Sequence, residues 1–195
     1  MNDSESQLIL ASSSPRRKAL LDQIGVQYSV LPTDIDERAL DDELPEHYVQ
    51  RLAAAKSQRG RDLTGAVVPV LGADTIVVVE RNILGKPKNK DQALEMLRCL
   101  SGRSHRVLSA VSIRSNQHLQ ALSATTVHFR ALSEHEIEAY WDSGEPCDKA
   151  GAYGIQGIAA IFVSRIEGSF TGVVGLPLFE TSELLMKTGV ECSLA

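Results

Sequence analysis

Hydrophobic and polar positions alternate along this chain in blocks that predict strands and helices in turn. "LIL" at residues 8–10 is an apolar run of strand length, and three serines break it. Ser14 followed by Pro15 predicts a helix start, with serine as N-cap and proline at the first helical position. Ala19, Leu20, Leu21 and Ile24 supply that helix's apolar face, and Gly25 closes it. "VQYSVL" predicts a strand and "PTDIDERALDDEL" an acidic loop. Pro45 opens a second helix whose stripe is Val49, Leu52, Ala53 and Lys56. "AVVPVLGADTIVVVE" is apolar on both sides of a four-residue interruption, "RNILGKPKN" predicts a loop, and "KDQALEMLRCL" an amphipathic helix ended by Ser101 and Gly102. Two strands follow, around "HRVLSAVSI" and "LSATTVHF", separated by the polar turn "RSNQ". Ser133 and Glu136 form a capping box for a helix running to about Asp142. "CDKAGAYGIQG" is a glycine-rich loop, "IAAIFVSRI" predicts a buried strand, and "LPLFETSELLMKTG" a closing helix with Gly189 at its C-terminus. Strands and helices mixed in this way predict an α/β fold with a mixed sheet. No linker or repeat divides residues 1–195, so one domain is expected, with the acidic start, residues 1–6, disordered.

Composition narrows the function classes. Of 195 residues, 43% are hydrophobic and 23% charged, the balance of an ordinary globular protein. No apolar stretch approaches the ~18 residues a membrane-spanning helix needs, so no membrane partner is expected. The net charge of −5 argues against a surface that coats nucleic acid. An acidic protein that binds an anion must concentrate its positive charge locally. Cys99, Cys147 and Cys192 are widely spaced, which gives neither a disulfide framework nor a zinc site and suits a reducing cytoplasm. The five histidines show no metal-binding spacing and are expected in surface or structural roles.

Candidate chemistry comes from residues that break their local pattern. Arg16, Arg17 and Lys18 fall in the first turn of a helix, where free N–H groups and the helix dipole already make the environment positive. A solvated basic turn is the plain alternative. An anion held by those N–H groups, the hydroxyls of Ser12 to Ser14 and two guanidinium forks is the functional one. Lys56 lies on an apolar stripe, where a lysine either snorkels or serves a site. Asp74 sits in "LGADTIVVV" among residues that belong in a core. It is either part of a tight turn or a carboxylate delivered on rigid strands, able to hold a divalent cation or take a proton from water. Lys86 precedes Pro87 in "LGKPK", and no phosphate-loop motif surrounds it. Gly151, Gly154 and Gly157 do not match a dinucleotide fingerprint, but they permit close backbone approach to a flat or anionic ligand. Gln156 carries both a donor and an acceptor, which suits reading a base edge. Asp34, Asp36 and Glu37 cluster in the acidic loop, where a metal role gains weight only if phosphates are bound nearby. Together these residues describe Mg²⁺-assisted phosphoryl or nucleotidyl transfer.

The segments "LASSSPRRKALL", "VLGADTIVVV", "LGKP", "LSGRSHRV", "DKAGAYGIQG" and "VVGLPLFET", in this order, resemble the Maf family of nucleoside triphosphate pyrophosphatases, from Leu8 to about Gly189. The resemblance implies a two-lobed α/β fold with a mixed, twisted sheet flanked by helices and a nucleotide cleft between lobes. It also implies hydrolysis of a nucleoside triphosphate to monophosphate and pyrophosphate with Mg²⁺ or Mn²⁺, and a homodimer. By position Asp74 resembles the family's acid–base residue, and Ser12, Arg17, Glu37, Lys56 and Lys86 its phosphate- and metal-handling positions. Arg16, Thr75 and Gln156 match positions that separate substrate subgroups, and the "YGIQG" form is similar to the subgroup acting on dTTP and UTP. The sister subgroup acting on 7-methyl-GTP ranks second, and a nucleotide-binding regulator of cell division is the rival of another class. Phe170 stands where the family often has tyrosine, a departure that touches no catalytic group.

Overall fold

The protein is described here by a computed structural model covering residues 6–65 and 67–192. The expectation of disorder over residues 1–6 falls almost wholly on residues 1–5, outside the described residues; the Ser6 hydroxyl donates to the Leu8 carbonyl at 2.8 Å.

Strand β1 (Leu8–Leu10) leads through helix α1 (Pro15–Gln23) to β2 (Tyr28–Val30), which lies parallel to β1. The acidic loop then delivers the long helix α2 (Pro45–Thr64). Next come β3 (Val70–Val79), β4 (Asn82–Leu84), α3 (Lys90–Leu100), β5 (Ser104–Arg114) and β6 (His118–Phe129). The chain ends with α4 (Glu134–Asp142), three short 3₁₀ turns, β7 (Val163–Glu167), α5 (Phe170–Val174) and α6 (Leu178–Lys187). The strands form one mixed sheet in the order β2-β1-β3-β5-β6-β7, with β4 paired to β3. No helix among the described residues is long and apolar enough to cross a membrane.

Side-chain alternation along β3 separates two packed layers. Leu71, Ala73, Val77 and Val79 enter the main core with Leu20 and Leu21 of α1, Leu97 and Leu100 of α3, Ile137 and Tyr140 of α4, and Leu185 of α6. Ile76 and Val78 pack on the other face against Val49 and Ala53 of α2. That second face also carries Gly72, and the glycine has a packing reason. A Cβ there would overlap the backbone of Ala53 and Ser57, so only glycine lets α2 lie this close to the sheet.

The sheet is interrupted on one side only. β5 pairs with β3 without a break from Val70 to Val78. On the opposite edge, β1 pairs only at Val70 and Leu71, and β4 only from Val77 to Val79. Among the described residues no strand covers Gly72–Ile76 on that edge. A continuous β-strand thus replaces the turn that "GADT" permits, and its uncovered stretch opens the cleft.

Three further expectations are corrected. The "RNILGKPKN" loop contains β4, a short strand that forms a hairpin with β3. "IAAIFVSRI" is not one buried strand: Ile158–Phe162 is a 3₁₀ turn, and the strand begins at Val163 with most of its residues partly or fully exposed. Its apolar residues serve the aromatic cluster instead, where Phe162 packs edge-on against Phe129 and Tyr140. The short helix α5, capped by the Ser169 hydroxyl on Gly172 N, lies in a segment for which no element is predicted.

Candidate active site

A cleft of about 640 Å³ opens over the uncovered edge of β3, lined by residues of α1, α2, β3, the loop after β4 and residues 145–157. A smaller hollow, lined from Ala11 to Arg17, shares Arg16, Arg17, Glu37, Lys56 and Lys86 with it. Ser12 lines the smaller hollow; Asp74, Thr75 and Gln156 line the larger. All nine candidate residues therefore meet in one place, although the chain separates the first from the last by most of its length.

At the floor, Lys56 Nζ lies 2.7 Å from Asp74 Oδ1 and 2.7 Å from Glu37 Oε1. The Lys56 and Asp74 side chains are each only 12% exposed. Both face the same layer, Asp74 from β3 and Lys56 one turn after Leu52 and Ala53 on α2, at the crossing that Gly72 makes possible. Two carboxylates against one ammonium leave a net negative charge at the floor. Burial is the largest influence on Glu37 and opposes its ionisation. The hydrogen bond and charge of Lys56, with the charges of Lys86 and Arg17, together outweigh it, and the carboxyl is held below its ordinary range. The Tyr48 hydroxyl donates to the Glu37 carbonyl at 2.8 Å, and Arg51 grips Glu43 and the Arg38 carbonyl, so the acidic loop is fastened to α2.

The α1 side differs from the expected pair of free guanidinium forks. Ser14 caps α1 through Arg17 N, at 3.5 Å. Arg17 is half-buried, its Nε donating to the Gly175 carbonyl at 2.9 Å and its Nη1 to Ser12 Oγ at 3.1 Å. Burial lowers its pKa, with Asp74 and Glu37 working in the opposite direction and Arg16 adding to the fall; an arginine remains charged under such a shift. Arg16 is the more open of the two and reaches Asp148 Oδ2 at 3.3 Å. Lys86 is exposed beside them. Thr75 shares a 2.8 Å hydrogen bond with the Ser109 hydroxyl and donates to the Gly175 carbonyl at 3.3 Å.

Gln156 occupies the far wall, exposed in the cleft. Among the described residues no hydrogen bond holds its amide. The neighbouring glycines make room for the protein rather than for a ligand. A Cβ at Gly157 would collide with the Glu145 carboxylate, and one at Gly154 would lie 2.6 Å from Lys149 Cε. Gly151, at φ +69°, packs on Val77. Behind the wall, the Tyr153 hydroxyl and His105 Nε2 share a 2.8 Å hydrogen bond inside an aromatic cluster with Phe129. Burial pushes the Tyr153 hydroxyl up and, with a smaller contribution from His128, holds His105 down to about 4.

Several lining residues were given no role on sequence grounds: Tyr48, Glu145, Asp148, Lys149, Tyr153 and the Gly175 carbonyl. Asp148 and Lys149 stand inside "DKAGAYGIQG", where the motif itself was the available signal. Tyr48 precedes Val49 on α2 and offered none.

Arg16, Arg17, Lys56 and Lys86 thus stand near the Glu37 and Asp74 carboxylates in a cleft at the sheet edge of an α/β protein. Residues 7–188 match the family described as Maf-like protein, and the chain belongs to that family. It is 50% identical over 191 residues to a dTTP/UTP pyrophosphatase of Methylococcus capsulatus, covering 97% of this chain and 95% of that protein. It is 51% identical over 186 residues to a dTTP/UTP pyrophosphatase of Aliivibrio fischeri, covering 93% of this chain and 97% of that one. A solved nucleoside-triphosphatase/dITP/XTP pyrophosphatase of Mycobacterium abscessus is similar over 63% of this chain and 73% of that chain, with a TM-score of 0.45 at 14% identity.

Proposed function

We propose that the protein hydrolyses dTTP and UTP to the nucleoside monophosphate and pyrophosphate. The observation that carries this reading is the Lys56–Asp74 pair, buried at the uncovered edge of β3 and facing Arg16, Arg17 and Lys86 across one cleft. Relatives of about half-identical sequence that bear the dTTP/UTP pyrophosphatase name support the choice of substrate.

Arg16, Arg17 and Lys86 bind triphosphate oxygens, Arg17 from a guanidinium already oriented by Gly175 and Ser12. Asp74, held at 2.7 Å from the Lys56 ammonium, accepts a proton from water. The water oxygen bonds the α-phosphorus as the bond to the bridging oxygen breaks, and pyrophosphate leaves with the electron pair. Lys56 and Lys86 balance the charge that moves onto the leaving group. Gln156 meets the imide edge of thymine or uracil.

Among the described residues no group of three or more His, Cys, Asp or Glu is arranged to hold a metal. Glu37 and Asp74 fit instead a divalent cation that arrives on the nucleotide, since Mg²⁺ is commonly held by one or two carboxylates and substrate phosphates. Those two residues would hold it, and it supplies neutralisation of phosphate charge, with Mn²⁺ as the alternative ion. The reading extends to a homodimer in the cytoplasm; Cys99, Cys147 and Cys192 are free, which suits a reducing compartment.

The test is pyrophosphate release, with Mg²⁺, from dTTP, UTP, CTP, GTP and 7-methyl-GTP. Preferential turnover of dTTP and UTP is expected. Preference for 7-methyl-GTP would overturn the substrate assignment, and nucleotide binding without turnover would favour a regulator.

A further inference from the structure

The wall that carries Gln156 has no regular strand or α-helix to hold it; beside its own turn hydrogen bonds, such as Gly157 N to the Gly154 carbonyl at 3.1 Å, two side chains outside it fasten it. The Tyr140 hydroxyl, on α4, donates to Glu145 Oε1 at 2.7 Å and accepts from Gly154 N at 3.2 Å. Glu145 in turn accepts from Ile158 N at 2.8 Å through Oε2 and from Ala159 N at 3.5 Å through Oε1. The five residues 154–158 are thereby fastened at both ends by one network, with Gln156 at the centre. The glycines agree with this reading, because Gly157 is the space the Glu145 carboxylate occupies. Burial first, and the Glu145 bond second, push the Tyr140 hydroxyl far above tyrosine's ordinary range, so it stays a donor at any working pH. Tyr140 is itself locked, 2% exposed and edge-on to Phe162.

We infer that Glu145 and Tyr140 are specificity-positioning residues: they fix the segment that presents Gln156 and so set how selectively the pyrimidine edge is read. This rests on the reading of the cleft as a dTTP/UTP pyrophosphatase site. The chemical reason is that a glutamine amide turned over pairs with cytosine as well as it pairs with uracil when upright. Turning the amide needs only side-chain rotation, so what a fixed backbone sets is where the Gln156 amide stands against the base edge, and that placement decides how well the uracil pairing is made. The Glu145–Tyr140 network fixes that backbone, and neither residue belongs to the Arg16, Arg17, Lys56 and Lys86 set assigned to the triphosphate.

The experiment compares wild type, Glu145→Gln and Tyr140→Phe. Three quantities are read: kcat and KM for UTP and CTP, inhibition by inorganic pyrophosphate, and amide hydrogen exchange at Gly154 and Ile158. The expected result is a fall of about tenfold in the UTP-over-CTP ratio of kcat/KM, carried by a raised KM for UTP. Inhibition by pyrophosphate stays at the wild-type level, and exchange at the two amides quickens. Tyr140→Phe keeps the ring in the core and decides the matter if Glu145→Gln does not fold. An unchanged ratio in the folded variants, or an equal loss for UTP, CTP and pyrophosphate, overturns the specificity role. Unchanged exchange at Gly154 and Ile158 overturns the clamp itself. A wild type that turns over UTP and CTP equally overturns the functional reading, a failure distinct from the other two.

Discussion

The two walls of the cleft place polar groups by opposite means. On the α1–α2–β3 side, Arg17, Lys56 and Asp74 project from regular elements, and each position follows from a helix or strand period. On the side of residues 150–159, an irregular segment takes its shape from hydrogen bonds to Tyr140 and Glu145 and from a positive-φ glycine. Regular elements suit the wall that must hold concentrated charge, because rigid backbones keep like charges from relaxing apart. The irregular wall suits recognition, because its exposed groups are not consumed by a ladder.

This difference is open to attack at its strongest point, the support of the irregular wall. His105 sits behind Tyr153, 3% exposed, with Nδ1 unpaired. It faces Tyr153 and Phe129, and His128 is the titratable neighbour that bears on it. Its pKa is held from 6.5 to about 4, so between those values the unfolded chain binds more protons than the folded one. Stability should therefore fall as pH drops through that window, by about 3 kcal/mol at its lower end. Urea denaturation from pH 7 to 4 checks this, and His105→Gln should lose that part of the slope. An identical slope in the variant would remove His105 from the account.

The charged wall is tested next at Gly72. Gly72→Ala forces a methyl into the backbone of α2 and should cost about 2 kcal/mol, read by the same denaturation. It should also cut turnover more than nucleotide binding, because Lys56 and Asp74 move apart when α2 lifts. A neutral Gly72→Ala would mean the helix crossing does not set their pairing.

The smallest effect belongs where the walls meet. Asp148 bridges to Arg16 at 3.3 Å from a side chain 63% exposed, so Asp148→Asn should change stability by less than about 1 kcal/mol. Freed of that partner, Arg16 should bind phosphate slightly better, seen as a modestly lower KM for UTP. A large loss of stability would instead make the bridge a structural tie between the walls.

Legibility in the sequence follows the same division. Asp74 and Lys56 stood out because each violates an apolar period, and the first-turn arginines because they oppose the helix dipole. The uncovered edge of β3 was not legible, since it depends on where β1 stops pairing and β4 begins, which only tertiary packing decides. Tyr140 looked like any core aromatic on an amphipathic helix, and Glu145 like a turn residue after it. Their partnership with Gly154 and Ile158 spans residues whose spacing has no period. Ile158–Phe162 misled for a related reason: its apolar run matches a buried strand, but the residues were needed by an aromatic cluster that the local pattern does not reveal.

The central claim is that Asp74 performs chemistry at a site whose other groups bind the nucleotide. The measurement that tests it most directly is pyrophosphate release and UTP affinity in Asp74→Asn beside wild type. The account predicts turnover lower by about 10²–10⁴-fold, with UTP affinity in Mg²⁺ falling far less, because Glu37 and the cationic residues still hold the nucleotide. Turnover that survives the substitution would contradict it.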